Sequence, residues 1–109
     1  THNGQQERDF LYIDDAIDGI IKSLENLHKG FTIYNISSGK KISSLNLITL
    51  LENISNSKIL YETQNTSPDE KCIWASYEKA EKQINFLPKI ELKDGLEKII
   101  QQRKSKNLL

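Results

Sequence analysis

Several groups of residues in this 109-residue sequence have side chains or backbones suited to chemistry, and spacing decides what each can do. A loop that cradles a pyrophosphate needs closely spaced glycines after a strand, so that backbone N–H groups approach the phosphates at a helix N-terminus. The five glycines, Gly4, Gly19, Gly30, Gly39 and Gly95, are too scattered for that. Gly39-Lys40-Lys41 carries the lysine of a phosphate loop, but Tyr34 occupies the place of that motif's first glycine and no Ser or Thr follows Lys40, which leaves a tight turn. Asp14, Asp15 and Asp18 have the charge to hold a hard cation, yet carboxylates in a first helical turn more commonly cap it. His2 and His28 are far apart, and Cys72 is the single cysteine, so neither a clustered metal site nor a cysteine pair is present in the sequence. A nucleophilic Cys72 would need a cationic neighbour to lower its pKa; without one in sequence it reads as a packed side chain. The sequons at Asn35, Asn53 and Asn65 carry no weight without a secretory signal. The residues taken singly thus assemble no complete active site.

The elements that position these side chains follow from apolar spacing. Phe10-Leu11-Tyr12-Ile13 reads as a short strand. Asp14 or Asp15 then caps a helix whose Ile17, Ile20, Ile21, Leu24 and Leu27 recur at helical spacing, ended by Lys29-Gly30. Residues Phe31 to Ile36 read as a strand buried on both faces, as in a parallel sheet. Ser43 or Ser44 caps a second helix carrying Leu47, Ile48, Leu50, Leu51 and Ile54, closed at Ser55-Asn56-Ser57. A third extended run covers 58–62, a polar loop with Pro68 covers 63–71, and Ser76 caps a short helix with Tyr77, Ala80 and Ile84 on one side. Pro88 forces a break. The last helix sets Leu92, Leu96, Ile99 and Ile100 on one face and frays from Arg103 onward. Strands alternating with helices indicate an α/β chain with mixed α+β character.

Composition bounds the partners. Fifteen Lys+Arg against fifteen Asp+Glu give zero formal charge, which provides no field to gather a phosphate backbone, so no nucleic acid is expected. No apolar stretch is long enough to span a bilayer, so no membrane is expected. A single cysteine fits a reducing, cytoplasmic home. The absence of methionine and the polar opening at Thr1 lead us to expect either that the initiator was removed or that this is a piece of something longer.

One sequence of segments is distinctive: Gly4-x-Gln6-x-Arg8-Asp9-Phe10-Leu11-Tyr12-Ile13-Asp14-Asp15, an apolar helix, Tyr34-Asn35-Ile36-x-Ser38-Gly39, a Ser-capped helix, a strand, a loop with Pro68-Asp69, Lys79-Ala80, and Pro88 before Gly95-Leu96. This order resembles the C-terminal part of the extended short-chain dehydrogenase/reductases, in the style of NAD-dependent nucleotide-sugar epimerases and dehydratases. The resemblance implies that residues 1–109 are a substrate-binding domain fragment lacking the Rossmann core, with 31–36 a strand that would join the missing Rossmann sheet. It implies a parent enzyme that interconverts or dehydrates nucleotide-diphosphate hexoses by transient hydride transfer to NAD, often as a homodimer. The family's Tyr-x-x-x-Lys pair is absent: Tyr12, Tyr34, Tyr61 and Tyr77 have Ala16, Ser38, Asn65 and Glu81 four positions on. The isolated chain is therefore expected to be inactive, with catalytic residues and NAD on a preceding Rossmann domain.

Three residues inherit substrate roles through the resemblance. Arg8 matches the family's phosphate-binding arginine, whose planar guanidinium grips a diphosphate through two parallel hydrogen bonds, against the plainer reading of a salt bridge to a nearby Asp. Gln6 matches a position close to the nucleotide, against an ordinary turn residue. Asp69 matches the acidic residue that approaches the ribose, against simple loop solvation. The pattern departs at Asn65-Thr66, where many epimerases carry a second arginine, at Ser76 in place of an Asp, and at Glu91 in place of a helix-capping Ser or Thr. Trp74 is expected either to stack on a base or sugar or to pack against the final helices. The alternative is an autonomous noncatalytic α/β binding module, which would have to cover the strand 31–36 with its own elements.

Overall fold

The computed structural model describes residues 2–65 and 70–107. A helical turn at His2–Gly4 leads into β1 (Glu7–Arg8), followed by α1 (Ile13–Glu25), β2 (Ile42–Ser43), α2 (Ser44–Ser55), β3 (Cys72–Ile73), α3 (Glu78–Ile84) and α4 (Leu92–Ser105). The result is a mixed α/β chain around a small sheet of order β2-β1-β3. β1 pairs antiparallel with β2, Glu7 opposite Ser43 and Arg8 opposite Ile42. It pairs parallel with β3, Glu7 opposite Cys72 and Arg8 opposite Ile73.

The core is small. Ala80, Ile84 and Phe86 are fully buried, with Leu11, Tyr34, Ile36 and Tyr77 packed against them. Tyr77 and Phe86 meet edge to face, with ring centroids 6.1 Å apart. The expected apolar side of α3 is therefore present, and Phe86, beyond the helix, completes it.

Two carboxylates tie this core to the rest. Asp9 accepts hydrogen bonds from the Ser38 and Gly39 backbone N–H groups, 3.0 Å each, and from the Ser38 hydroxyl. The turn it holds needs Gly39, whose φ is +72° and whose missing Cβ leaves room for the Tyr77 ring. Asp15, 4% exposed, accepts from the backbone N–H groups of Lys89 and Ile90 at 2.9–3.1 Å.

Several expected elements differ, each for a physical reason. Phe10–Ile13 is not a strand: the ladder forms at Glu7–Arg8, where β2 and β3 supply partners, and Ile13 already opens α1. Aromatic and β-branched content measures fit to a packed surface rather than pairing. Asp14 and Asp15 do not cap α1; Tyr12 holds that position without a side-chain bond, and Asp15 turns to the 89–90 segment. α1 stops at Glu25 rather than at Lys29-Gly30, because Asn26 donates from both its backbone N–H and its amide to the Lys22 carbonyl. Ser43 does cap α2, accepting from the Asn46 N–H, and Asn56 closes that helix in a left-handed conformation. Ser76 sits one residue before the N-cap of α3, its hydroxyl accepting from the Glu78 N–H. α4 continues to Ser105 instead of fraying from Arg103, and Ile99 points outward, away from the side that buries Gly95.

Residues 58–62 form no ladder, and Leu60 is fully exposed. Residues 31–36 likewise pair with nothing among the described residues; Phe31 is 87% and Ile33 62% exposed, so burial on both faces is not met within this chain. The apolar stripe of α1 behaves the same way. Ile17, Ile20, Ile21 and Leu24 face solvent, while the helix approaches the core through Gly19, against which Ile36 lies so closely that a Cβ would come within 2.6 Å of it. The chain is a slab 18 Å thick with a radius of gyration of 16.7 Å, against about 13 Å for a compact domain of this length. Its 8136 Å² of accessible surface exceeds by about 2,000 Å² what a compact monomer of this mass exposes.

Candidate functional site

Arg8 is the second residue of the central strand, fixed on both sides by pairing to Ile42 and Ile73. Its Nη1 donates to the Glu7 carbonyl at 2.7 Å. Among the described residues it makes no ion pair, so the salt bridge to a nearby Asp is not what holds it. Asp9, next in sequence, spends its carboxylate on the 38–39 turn. Arg8 lines a concavity of about 250 Å³ with Asp9, Leu11, Ile36, Ser37, Ile73, Trp74 and Ala75. The wall is held shut behind it by the Ser37 hydroxyl, which donates to the Ala75 carbonyl at 3.0 Å.

The other sequence-derived residues are placed differently. Gln6 is half-buried beside β1, its carbonyl accepting from the Ser44 N–H at 3.0 Å, and it does not line the Arg8 concavity. Asp69 lies outside the described residues. Trp74 does not join the core and is 54% exposed, beside Tyr77, Glu78 and Glu81 around a concavity of about 300 Å³. Tyr12 and Tyr34 occupy no strand; each ring lies under an ammonium group, Lys98 at 5.4 Å and Lys79 at 5.3 Å.

The reverse face of the sheet carries a cluster that sequence reading missed. Lys41 Nζ lies 3.1 Å from a Glu7 carboxylate oxygen and 3.6 Å from Cys72 Sγ. Cys72 is exposed rather than packed. The hydrogen bond from Lys41, helped by that from Cys72, holds the Glu7 carboxyl below its ordinary value, and the same contact with Glu7 raises Lys41. The three residues come together through the register of β1 with both β2 and β3, which sequence spacing does not encode.

A second concavity, of about 460 Å³, lies between the 38–42 turn, Leu50 of α2 and the start of α4. Its lysines Lys40, Lys41 and Lys93 each have a carboxylate within 4 Å, namely Glu91, Glu7 and Glu97. Its cationic rim is thus paired with carboxylates. No group of three or more metal-ligating side chains occurs among the described residues. Four of the glycines are taken up by close packing, Gly4 on Leu45, Gly19 on Ile36, Gly39 on Tyr77 and Gly95 on Tyr12, which does not fit a pyrophosphate cradle for a dinucleotide. No helix among the described residues is long and apolar enough to cross a membrane.

Residues 1–37 match the NAD dependent epimerase/dehydratase family. The chain is 39% identical over 100 residues to a UDP-glucuronate 4-epimerase of Thermodesulfobacterium geofontis, covering 90% of this chain and 30% of that protein. It is 32% identical over 99 residues to a UDP-glucose 4-epimerase of Yersinia enterocolitica, covering 89% and 29%. A crystal structure of a UDP-glucuronic acid 4-epimerase mutant from Bacillus cereus, in complex with UDP-4-deoxy-4-fluoro-glucuronic acid and NAD, superposes with a TM-score of 0.80 at 35% identity, over 92% of this chain and 33% of that one. The chain spans about 30% of the length of the curated relatives it matches.

Proposed function

Because the chain carries the sequence and fold of NAD-dependent epimerases/dehydratases of the extended short-chain dehydrogenase/reductase type over part of their length, we propose that it is the nucleotide-sugar-binding portion of such an enzyme. The observation that carries the reading is the match over nine-tenths of this chain to an epimerase of which it spans less than a third. Arg8 holds the substrate diphosphate, its fork of N–H donors opening on the concavity beside β1. Gln6 is assigned to the nucleotide and Asp69 to the ribose by family position. UDP is the nucleotide favoured, since the relatives named above act on UDP-sugars.

NAD would be held by a Rossmann domain on the preceding polypeptide and would supply the hydride-transfer chemistry there. The residues of this chain bind and orient. Residues 31–36 join that domain's sheet, and the apolar stripe of α1 packs beside it, which accounts for the surface exposed in excess of a compact monomer. In the protein as its gene encodes it, Arg8→Ala is expected to weaken UDP binding by about 1.5–3 kcal/mol, the loss of hydrogen bonds to a charged group. Equal affinity of wild type and variant by calorimetry removes Arg8 from the site.

A further inference from the structure

The Glu7-Lys41-Cys72 cluster has no part in the nucleotide-sugar reading, and its geometry stands independently of it. Successive side chains of a strand leave opposite faces, so Glu7 points away from the side on which Arg8 opens. Lys41 directly precedes β2 and Cys72 begins β3, one on each flank of β1. Lys41 Nζ donates to Cys72 Sγ at 3.6 Å and lies 3.1 Å from a Glu7 carboxylate oxygen, to which the Cys72 thiol is also hydrogen-bonded. A thiol, a primary amine and a proton acceptor are thus in mutual contact, the first two 31 positions apart in sequence. The thiol is exposed, so a small oxidant reaches it. As the single cysteine it has no internal disulfide partner, whereas the Lys41 amine already lies against its sulfur. We propose that Lys41 and Cys72 are a modification site for peroxide, closing a thiol-reversible sulfur–nitrogen bridge that staples β2 to β3 across the strand carrying Arg8, with Glu7 as proton acceptor.

One molecule of hydrogen peroxide balances the chemistry. The sulfur attacks a peroxide oxygen, the O–O bond breaks, and the thiol is oxidised to a sulfenic acid while the peroxide is reduced to water. Lys41 enters as an ammonium: Glu7 takes its first proton, and the second is shed from nitrogen as the S–N bond forms. The S–O bond breaks, the departing hydroxide takes one of these protons to become a second water, and the other proton goes to solvent. Two external thiols reverse the bridge, leaving as a disulfide and returning the amine and the Cys72 thiol.

The test treats the protein as its gene encodes it with hydrogen peroxide and maps it with trypsin under non-reducing conditions, comparing wild type, Cys72→Ser, Lys41→Arg and Glu7→Gln. In the wild type the expected product is a pair of peptides joined through Lys41 and Cys72, about 2 Da lighter than the sum of its parts, with cleavage after Lys41 lost and dithiothreitol restoring both. Lys41→Arg keeps the charge opposite Glu7 but offers no nucleophilic amine, so neither it nor Cys72→Ser should yield a joined pair. Glu7→Gln removes the proton acceptor and should slow closure about tenfold or more while the free thiol is still consumed. Cys72 recovered as a free thiol, as sulfinic or sulfonic acid, or as a disulfide between two copies, with trypsin still cutting after Lys41, overturns the bridge. A joined pair that persists in Lys41→Arg through another lysine overturns the assignment to Lys41, and closure in Glu7→Gln as fast as in wild type overturns the role of Glu7.

Discussion

Replacing Asp15 should separate the segment before α4 from α1. Its carboxylate is 4% exposed and accepts the backbone N–H groups of Lys89 and Ile90 at 2.9–3.1 Å. Each hydrogen bond to a charged group is worth about 1.5–3 kcal/mol, and relief from burying the carboxylate returns part of that, so Asp15→Ala is expected to cost about 3 kcal/mol. Asp15→Asn keeps the volume and one accepting oxygen but turns an amide N–H toward a donor, with an expected cost of about half as much. For a domain of this length the Ala variant lowers the melting temperature by roughly 12–20 °C. Urea denaturation gives the free energy, and hydrogen exchange should show loss of protection at the Lys89 and Ile90 amides in particular. A change under about 1 kcal/mol with those two amides still protected refutes the claim that Asp15 fastens the two segments.

Other perturbations test other parts of the architecture. Gly39→Ala forces a side chain into a left-handed conformation at φ +72° with its Cβ 2.8 Å from the Tyr77 ring, and should cost about 2 kcal/mol by urea denaturation; a neutral substitution would show that Tyr77 does not press on this turn. Glu7 should titrate below the ordinary glutamate range by NMR, and Lys41→Met should raise it toward that range; an unchanged titration contradicts the ion pair as its cause. Because the folded-state value is depressed, this pair's stabilising contribution is present above the unfolded-state pKa and disappears as pH falls through the folded-state one. In the protein as its gene encodes it, amides 32–36 should be protected from exchange by sheet pairing, whereas rapid exchange there contradicts the assignment of 31–36 to a neighbouring sheet.

Periodicity alone located most of the helices, because a helical stripe is a local property: α2 with its Ser43 cap, the Ala80 and Ile84 side of α3, and the inward Leu92, Leu96 and Ile100 of α4 need no knowledge of the rest of the chain. Motif order made the likeness to NAD-dependent epimerases/dehydratases readable although no single motif is specific. What the tertiary structure decided was pairing and direction. Strands two residues long leave no periodic signature, so the ladder at Glu7–Arg8 could not be told from the aromatic run beside it. The stripe of α1 showed that a face was apolar but not what it faces, and in this chain it faces outward while Gly19 and Asp15 make the contact. Asp9, Asp15 and the Glu7-Lys41-Cys72 cluster act between residues some 30 to 75 positions apart. Sequence sets each side chain's chemistry and its place along its own element; which distant donor it meets depends on how the elements pack, and only the folded chain supplies that.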